Sequence, residues 1–347
     1  MRRIFQNSIA LLVVVIVLFL IVPLPPALLD ILIIINISLS IVILMVTMTI
    51  SEALEFSIFP SLLLITTLFR LGLNVSTTRS ILDYKGGDIG TAVIRTFGQM
   101  ITQGNIVLGI IIFFIIVLVQ FIVITKGAER VAEVAARFTL DAMPGKQMAI
   151  DADLSSGLIN EQQARERRYK IQKEADFYGA MDGATKIVKG DAIMSLIITA
   201  VNLIGGIIIG SLNGVGDLGT VAQTYSIATI GDGLVSQLPA LMISTATGMI
   251  VTRSVSEGSL NTDVIKQFAR QPRAILAAGV VLLILGAIPG TPHAPLLIVG
   301  AGLAVLGFMM SGQLDRQEAA AALPPEEPLE TDLTAAPSET DYYKDIN

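Results

Sequence analysis

The chain has 347 residues, 53% of them hydrophobic, with a mean hydropathy of +0.73 and a formal net charge of −6. That apolar content exceeds the norm for soluble domains and points to a membrane protein. Cysteine is absent and His293 is the only histidine, so disulfides and thiolate sites are excluded and a His-based metal or general-base centre has no support.

Eight apolar runs lie near 8–24, 28–48, 56–75, 106–125, 192–209, 229–251, 274–288 and 295–311. Each approaches the roughly 20 residues that cross a ~30 Å hydrocarbon core. Arg2 and Arg3 precede the first run as in a signal peptide. Pro23-Leu24-Pro25-Pro26 follows without a small-residue cleavage site, so a retained first span is expected. The third and sixth runs contain Pro60 and Pro239, predicted bends. Arg79 and Arg95 bracket an amphipathic stretch with Gly86, Gly87 and Gly90, predicted to lie along the membrane surface. Gly206 and Gly210 form a small-xxx-small pair that predicts close helix packing. The last two runs are short and can form a hairpin around the Pro-rich turn that holds His293.

Between the fourth and fifth runs, residues 126–190 carry 11 of the 23 Lys and Arg and 10 of the 29 Asp and Glu. Val131, Val134, Ala135 and Phe138 recur at helical spacing, and Pro144-Gly145 predicts a break. Asn160 is a predicted N-cap, with Gln163 placed for a capping box, opening a charged helix over 161–178. Asp151-x-Asp153 departs from a calcium loop in its glycine and terminal-glutamate positions. Gly214, Gly216 and Gly219 match a dinucleotide fingerprint but follow no strand. No nucleophile–base pair or phosphate loop is legible, so the chain reads as non-enzymatic, with no cofactor and no nucleic-acid partner.

These features define an all-α polytopic membrane protein of about eight transmembrane helices, with a small folded insert between helices 4 and 5. Residues 1–125 hold spans 1–4, 126–190 the insert, and 191–312 spans 5–8. Residues 313–347 form an acidic, disordered linker. With eight spans both termini share a side, and that side collects 19 of the 23 basic residues. The insert and both termini are therefore expected in the cytoplasm. The remaining four, Arg70, Arg79, Lys85 and Arg95, break the trend. The charge run is read as a solvated face, and dense charge of both signs suits the insert to contacts between neighbouring copies better than with membrane lipid headgroups.

Arg70 lies at the end of the third run, where an arginine either snorkels to the interface or enters an internal ion pair. Asp191 opens the fifth run beside Lys186 and Lys189, and Asp232 lies at the start of the sixth. A carboxylate at membrane depth can take and release protons. For Asp191 a helix N-cap is the competing role.

The run Phe69-Arg70-Leu71-Gly72-Leu73-Asn74-Val75-Ser76-Thr77-Thr78-Arg79 resembles a hallmark of the FlhA (FHIPEP) export-gate family. So do Ile124–Phe138, Asp141–Leu154, Asp176–Ala184 and Ile230-Gly231-Asp232-Gly233-Leu234-Val235-Ser236-Gln237. The resemblance implies a bacterial inner-membrane component of a flagellar type III secretion apparatus. Such a component couples the proton motive force to export of unfolded subunits. It further implies a homo-oligomeric ring of about nine copies, acting with the export-core proteins and the export ATPase complex. The charged residues implicated in the family fall on Arg70, Arg79, Arg137, Lys186, Asp191, Asp232 and Arg253. The family continues into a cytoplasmic domain beyond its linker, and substrate and chaperone docking is expected only there. The runs Ile33–Leu39 and Ser244–Gly248 favour the flagellar branch. An injectisome gate, a non-transporting scaffold and a small-molecule transporter are the competing readings.

Overall fold

The computed structural model describes residues 8–83, 89–214, 216–253, 267–288 and 292–321. Arg2, Arg3, the Lys85–Gly87 stretch and residues 322–347 of the acidic tail lie outside the described residues. The chain divides into two compact units, 1–263 and 264–347. No strand occurs among the described residues.

The first unit begins with α1 (Ser8–Ile21), α2 (Pro26–Thr49), a 3-10 turn (Ala53–Phe56) and α3 (Phe59–Leu82). A short α4 (Ala92–Thr102) leads into α5 (Ile106–Val119). A π-helical turn, Gln120–Thr125, joins α5 to α6 (Lys126–Ser155). Helices α7 (Glu161–Leu212) and α8 (Leu218–Thr252) complete the unit. The second unit holds α9 (Pro272–Gly286) and α10 (His293–Ala321), which pack on one another as a hairpin. There His293 Nδ1 lies 2.6 Å from the Gly286 carbonyl oxygen and ties the two helices. Among the described residues six helices are long and apolar enough to cross a membrane, counting α5 to α6 as one, and α1 and α9 are shorter apolar helices.

The insert is not set apart from the spans. The α5–π–α6 rod runs 50 residues without interruption, and α7 runs 52. At 1.5 Å per residue α7 is about 78 Å long, so much of it projects beyond a ~30 Å hydrocarbon core. Pro144 sits inside α6 without breaking it. Its position is exposed, so water can satisfy the carbonyl that loses its donor. The predicted capping box opens α7: Asn160 Oδ1 accepts from the Gln163 amide at 2.8 Å, and Gln163 Oε1 accepts from the Asn160 amide at 3.0 Å.

The α6–α7 hairpin is zipped by Lys146–Glu174 at 2.9 Å, Arg167–Asp153 at 3.0 Å and the Arg168–Asp151 pair. Asp151 and Asp153 are thus engaged by arginines on a helix. Exposed pairs of this kind set register more than they add stability. Apolar contacts do more. Ile150, Ile159 and Ala164 close the hairpin tip, and Phe177, Tyr178 and Met181 join Phe59, Leu63, Ile243 and Ile250 at the base.

A further expectation fails locally. Pro60 lies in the first turn of α3, where a missing N–H costs nothing, whereas Pro239 does lie inside α8. The stretch after Arg79 ends in α4, which is not merely a surface helix. Its buried face packs on α8, and Asp30 of α2 caps its first turn, accepting from the Ala92 and Val93 amides at 3.2 and 3.0 Å. Helix α8 is itself capped by Asp217, whose carboxyl the Thr220 hydroxyl and nearby amides hold below the usual carboxylate range.

Close approach explains two glycine pairs. Tyr225 of α8 lies against Gly206 and Gly210, where an added Cβ would come within 2.3 and 2.4 Å of its ring. This is the close packing that the spacing predicts. At the α4–α8 crossing a Cβ on Gly231 would sit 1.9 Å from the Ile94 carbonyl oxygen, and one on Gly98 2.1 Å from that of Ile227. Gly231→Ala should therefore destabilise the protein by about 1–3 kcal/mol. Gly248→Ala, with nothing within 4 Å, should instead be neutral or stabilising by up to ~1 kcal/mol. Denaturant titration in mixed micelles measures both, and equal effects would refute the packing argument.

Candidate functional site: a buried ion pair in a polar column

Helix α3 carries Thr66, Thr67, Arg70, Asn74 and Thr77 on one buried face. In α7 the residues Asp191, Ser195, Thr199 and Asn202 recur at helical intervals, and α8 answers with Thr229, Asp232, Ser236 and Gln237. The three polar faces meet inside the bundle.

Arg70 and Asp191 form an ion pair, each side chain 2% exposed. The N-cap role for Asp191 is overturned, because its helix starts at Glu161 and residue 191 lies in the interior. Snorkelling by Arg70 is likewise excluded by its burial. The two lysines expected beside Asp191 turn elsewhere. Lys186 pairs with Asp182 at 2.7 Å, and Lys189 reaches across to Glu129 of α6 at 2.9 Å.

The pair is incompletely satisfied. Arg70 Nε and Nη1 and Asp191 Oδ1 have no hydrogen-bond partner among the described residues. Beside them lies a cavity of about 20 Å³, lined by Val117, Gln120, Phe121, Ser195, Ser236 and Gln237 as well as the pair itself. That volume and lining suit a water molecule.

Asp232 is buried at 5% exposure. It accepts from Asn202 Nδ2 at 3.0 Å, and the Thr77 hydroxyl lies against its carboxylate. No cation pairs with it among the described residues. Ser195 and Ser236, with hydroxyl oxygens 3.4 Å apart, each lie about one turn beyond a carboxylate, Asp191 on α7 and Asp232 on α8. The result is a polar column inside an apolar bundle, with room beside the ion pair for a water molecule.

The other predicted residues stand apart. Arg79 Nη1 donates to the Ile21 carbonyl at 2.9 Å, at the end of α1. Arg253 is buried and donates to the carbonyls of Met48 at 3.0 Å and of Ile50, at the end of α2. Both therefore cap helix C-termini, where cations are favoured. Arg137 is exposed on α6, 3.9 Å from Asp141. Sequence reasoning missed Gln120, Asn202, Thr77 and Asp30. The available signal was polar side chains recurring at helical spacing inside apolar runs.

Breaking one partner of a buried pair strands the other charge. Asp191→Ala should destabilise the protein by about 3–5 kcal/mol. The double variant Arg70→Met/Asp191→Leu should recover most of that loss, since neither charge remains to be desolvated. A denaturant-titration cycle over the wild type, Arg70→Met, Asp191→Leu and the double variant checks this, and additive losses would show that the two residues are not coupled.

The model of the FHIPEP family matches residues 16–344. The flagellar biosynthesis protein FlhA of Bacillus subtilis is 58% identical over 240 residues, covering 69% of this chain and 35% of that protein. The low calcium response locus protein D of Yersinia pestis is 51% identical over 297 residues, covering 85% and 42%. FlhA of Salmonella typhimurium is 47% identical over 285 residues, covering 82% and 40%. The chain spans less than half the length of these relatives. No solved structure matches it. The match to the family model over nearly the whole chain, in a polytopic helical bundle, shows that this protein belongs to the FHIPEP family.

Proposed function

We propose that the chain is the membrane part of a flagellar type III export gate, with no enzymatic activity of its own, that couples the proton motive force to export of unfolded subunits. The buried Arg70–Asp191 pair, in a polar column that also holds Asp232, is the observation that carries this reading. A bilayer protein gains nothing from such groups for stability alone, because their desolvation is expensive and apolar replacements pack as well. The family relationship supports the same conclusion, since its members include flagellar proteins and the low calcium response locus protein of Yersinia. An injectisome gate is the second reading, favoured by that same Yersinia relative.

In this reading the protein resides in the bacterial inner membrane, with the hairpin and both termini in the cytoplasm, a placement supported by the excess of basic residues, 19 against four, on that side. Neighbouring copies assemble into a ring of about nine, through surfaces that include the charged hairpin. The ring works with the export-core proteins and the ATPase complex, while substrates and chaperones dock on a further cytoplasmic domain. A load on the hairpin would reach Asp191 directly, because α7 is one continuous helix from Glu161 to Leu212.

The decisive test separates stability from transport. Arg70→Met/Asp191→Leu, placed in the full-length protein, should reach normal membrane levels and assemble, yet secrete at least about tenfold less flagellar subunit, a loss of ~1.4 kcal/mol or more in coupling. Wild-type secretion from that variant would eliminate the charge-relay reading. Orientation is checked with single cysteines at Ser155 and Ser211. In intact cells an impermeant thiol reagent should modify position 211 and spare 155, and the reverse would overturn the assigned topology.

A further inference from the structure

A second cavity, about 10 Å³, lies in the same unit. Thr125, Ala128 and Glu129 line it from the π turn and α6, Thr185 and Val188 from α7, and Ser244 and Thr247 from α8. The first cavity is lined by Gln120 and Phe121, by Asp191 and Ser195, and by Gln237 and Ala240. The same three rods therefore line both cavities. On every rod the second set lies about two turns nearer the α6–α7 hairpin.

On the α5–α6 rod, both sets share a face for a local reason. The π turn spans Gln120 to Thr125, and its i→i+5 bonding brings residues five apart close to one face. In an uninterrupted α-helix Gln120 and Thr125 would diverge. The turn keeps Gln120 on the first cavity, where its Nε2 donates to the Gln237 carbonyl at 3.3 Å, while Thr125 and Glu129 face the second.

The second cavity is polar and underfilled in hydrogen bonds. Ser244 is 2% exposed and its hydroxyl has no partner among the described residues. The Glu129 carboxylate, paired with Lys189 at 2.9 Å, stands at the cavity with Glu129 20% and Lys189 37% exposed. A space of one water's size with several polar partners is hydrated rather than empty.

We propose that this second cavity is a water-occupied port, with the Glu129–Lys189 pair at its mouth, through which the Arg70–Asp191 site communicates with the solvent on the hairpin side. Its ligand is water or hydronium. Use of the port by protons rests on the export-gate reading above, whereas its existence does not. The π turn contributes Thr125 to the wall of the port, and the Gln120–Gln237 hydrogen bond lies in the lining of the first cavity.

Silver ion is comparable to water in size and reacts with thiols, so it probes the port in vesicles of either orientation. In a background without other cysteines, Ser244→Cys should be blocked by silver from whichever face blocks Ser155→Cys. The readout is loss of maleimide labelling after denaturation. Ile243→Cys, on the apolar side of the same turn and fully buried, should stay unreacted. Adding Ala128→Leu, which fills the cavity, should slow the Ser244→Cys reaction by roughly tenfold or more. The port is overturned if position 244 reacts no faster than 243, if it reacts only from the opposite face, or if Ala128→Leu leaves its rate unchanged. A reactive position 244 together with normal secretion from Arg70→Met/Asp191→Leu would uphold the port and remove its proton-coupling role.

Discussion

A guanidinium and a carboxylate placed in the interior of an apolar bundle constrain everything packed around them. Taking the Arg70 and Asp191 charges out of water costs several kcal/mol each, and the pair recovers that cost only while α3 and α7 hold it in contact. Neither helix can rotate or slide without stranding a charge. The neighbouring polar groups follow from the same requirement. Ser195, Ser236, Gln120 and Gln237 surround the pair because unsatisfied lone pairs and protons at this depth need partners or water. The glycines at the α4–α8 crossing serve it indirectly, since Gly231 brings α4 against the turn of α8 that carries Asp232.

The arginines divide by what surrounds them rather than by their position in the membrane. Arg70 meets a carboxylate. Arg79 and Arg253 meet the carbonyls that end α1 and α2. A helix C-terminus leaves its last carbonyls unpaired, and in hydrocarbon no water is at hand to satisfy them. A guanidinium from an adjacent helix solves that problem while its own charge is offset by the helix dipole. Arg137, out on the hairpin, has solvent instead and makes only a loose contact with Asp141.

Continuity of the long helices links the hairpin to the bundle. The insert's own core is small. Its tip is closed by a few apolar residues, and its base shares the cluster that also buries Phe59, Leu63 and Ile250. Lys170 and Glu52, 3.0 Å apart, add a strap to the turn after α2. A displacement of the hairpin is therefore a displacement of α6 and α7. Only the π turn offers a place where one of the two rods departs from regular α-helical hydrogen bonding between hairpin and membrane.

Local patterns in the sequence determined much of this protein. Runs of apolar residues long enough to cross a bilayer predict its spanning helices, because in hydrocarbon every backbone group must bond within its own segment. The capping box at Asn160 and the Gly206–Gly210 packing pair are equally local, each set by residues within about one turn, and both are as the spacing predicts. Asp191 and Asp232 stand out in sequence as acids at membrane depth, but their partners do not. Lys186 and Lys189 are near Asp191 in sequence and point away from it on the helix, whereas Arg70 is remote in sequence and in contact. Pro144 looks like a helix end, and only its exposure explains why α6 continues through it. Tertiary structure alone decided which polar residues share a face, which arginines cap helix ends, and where the π turn aligns two cavities. Those outcomes depend on desolvation, and desolvation is set by which helices lie beside one another.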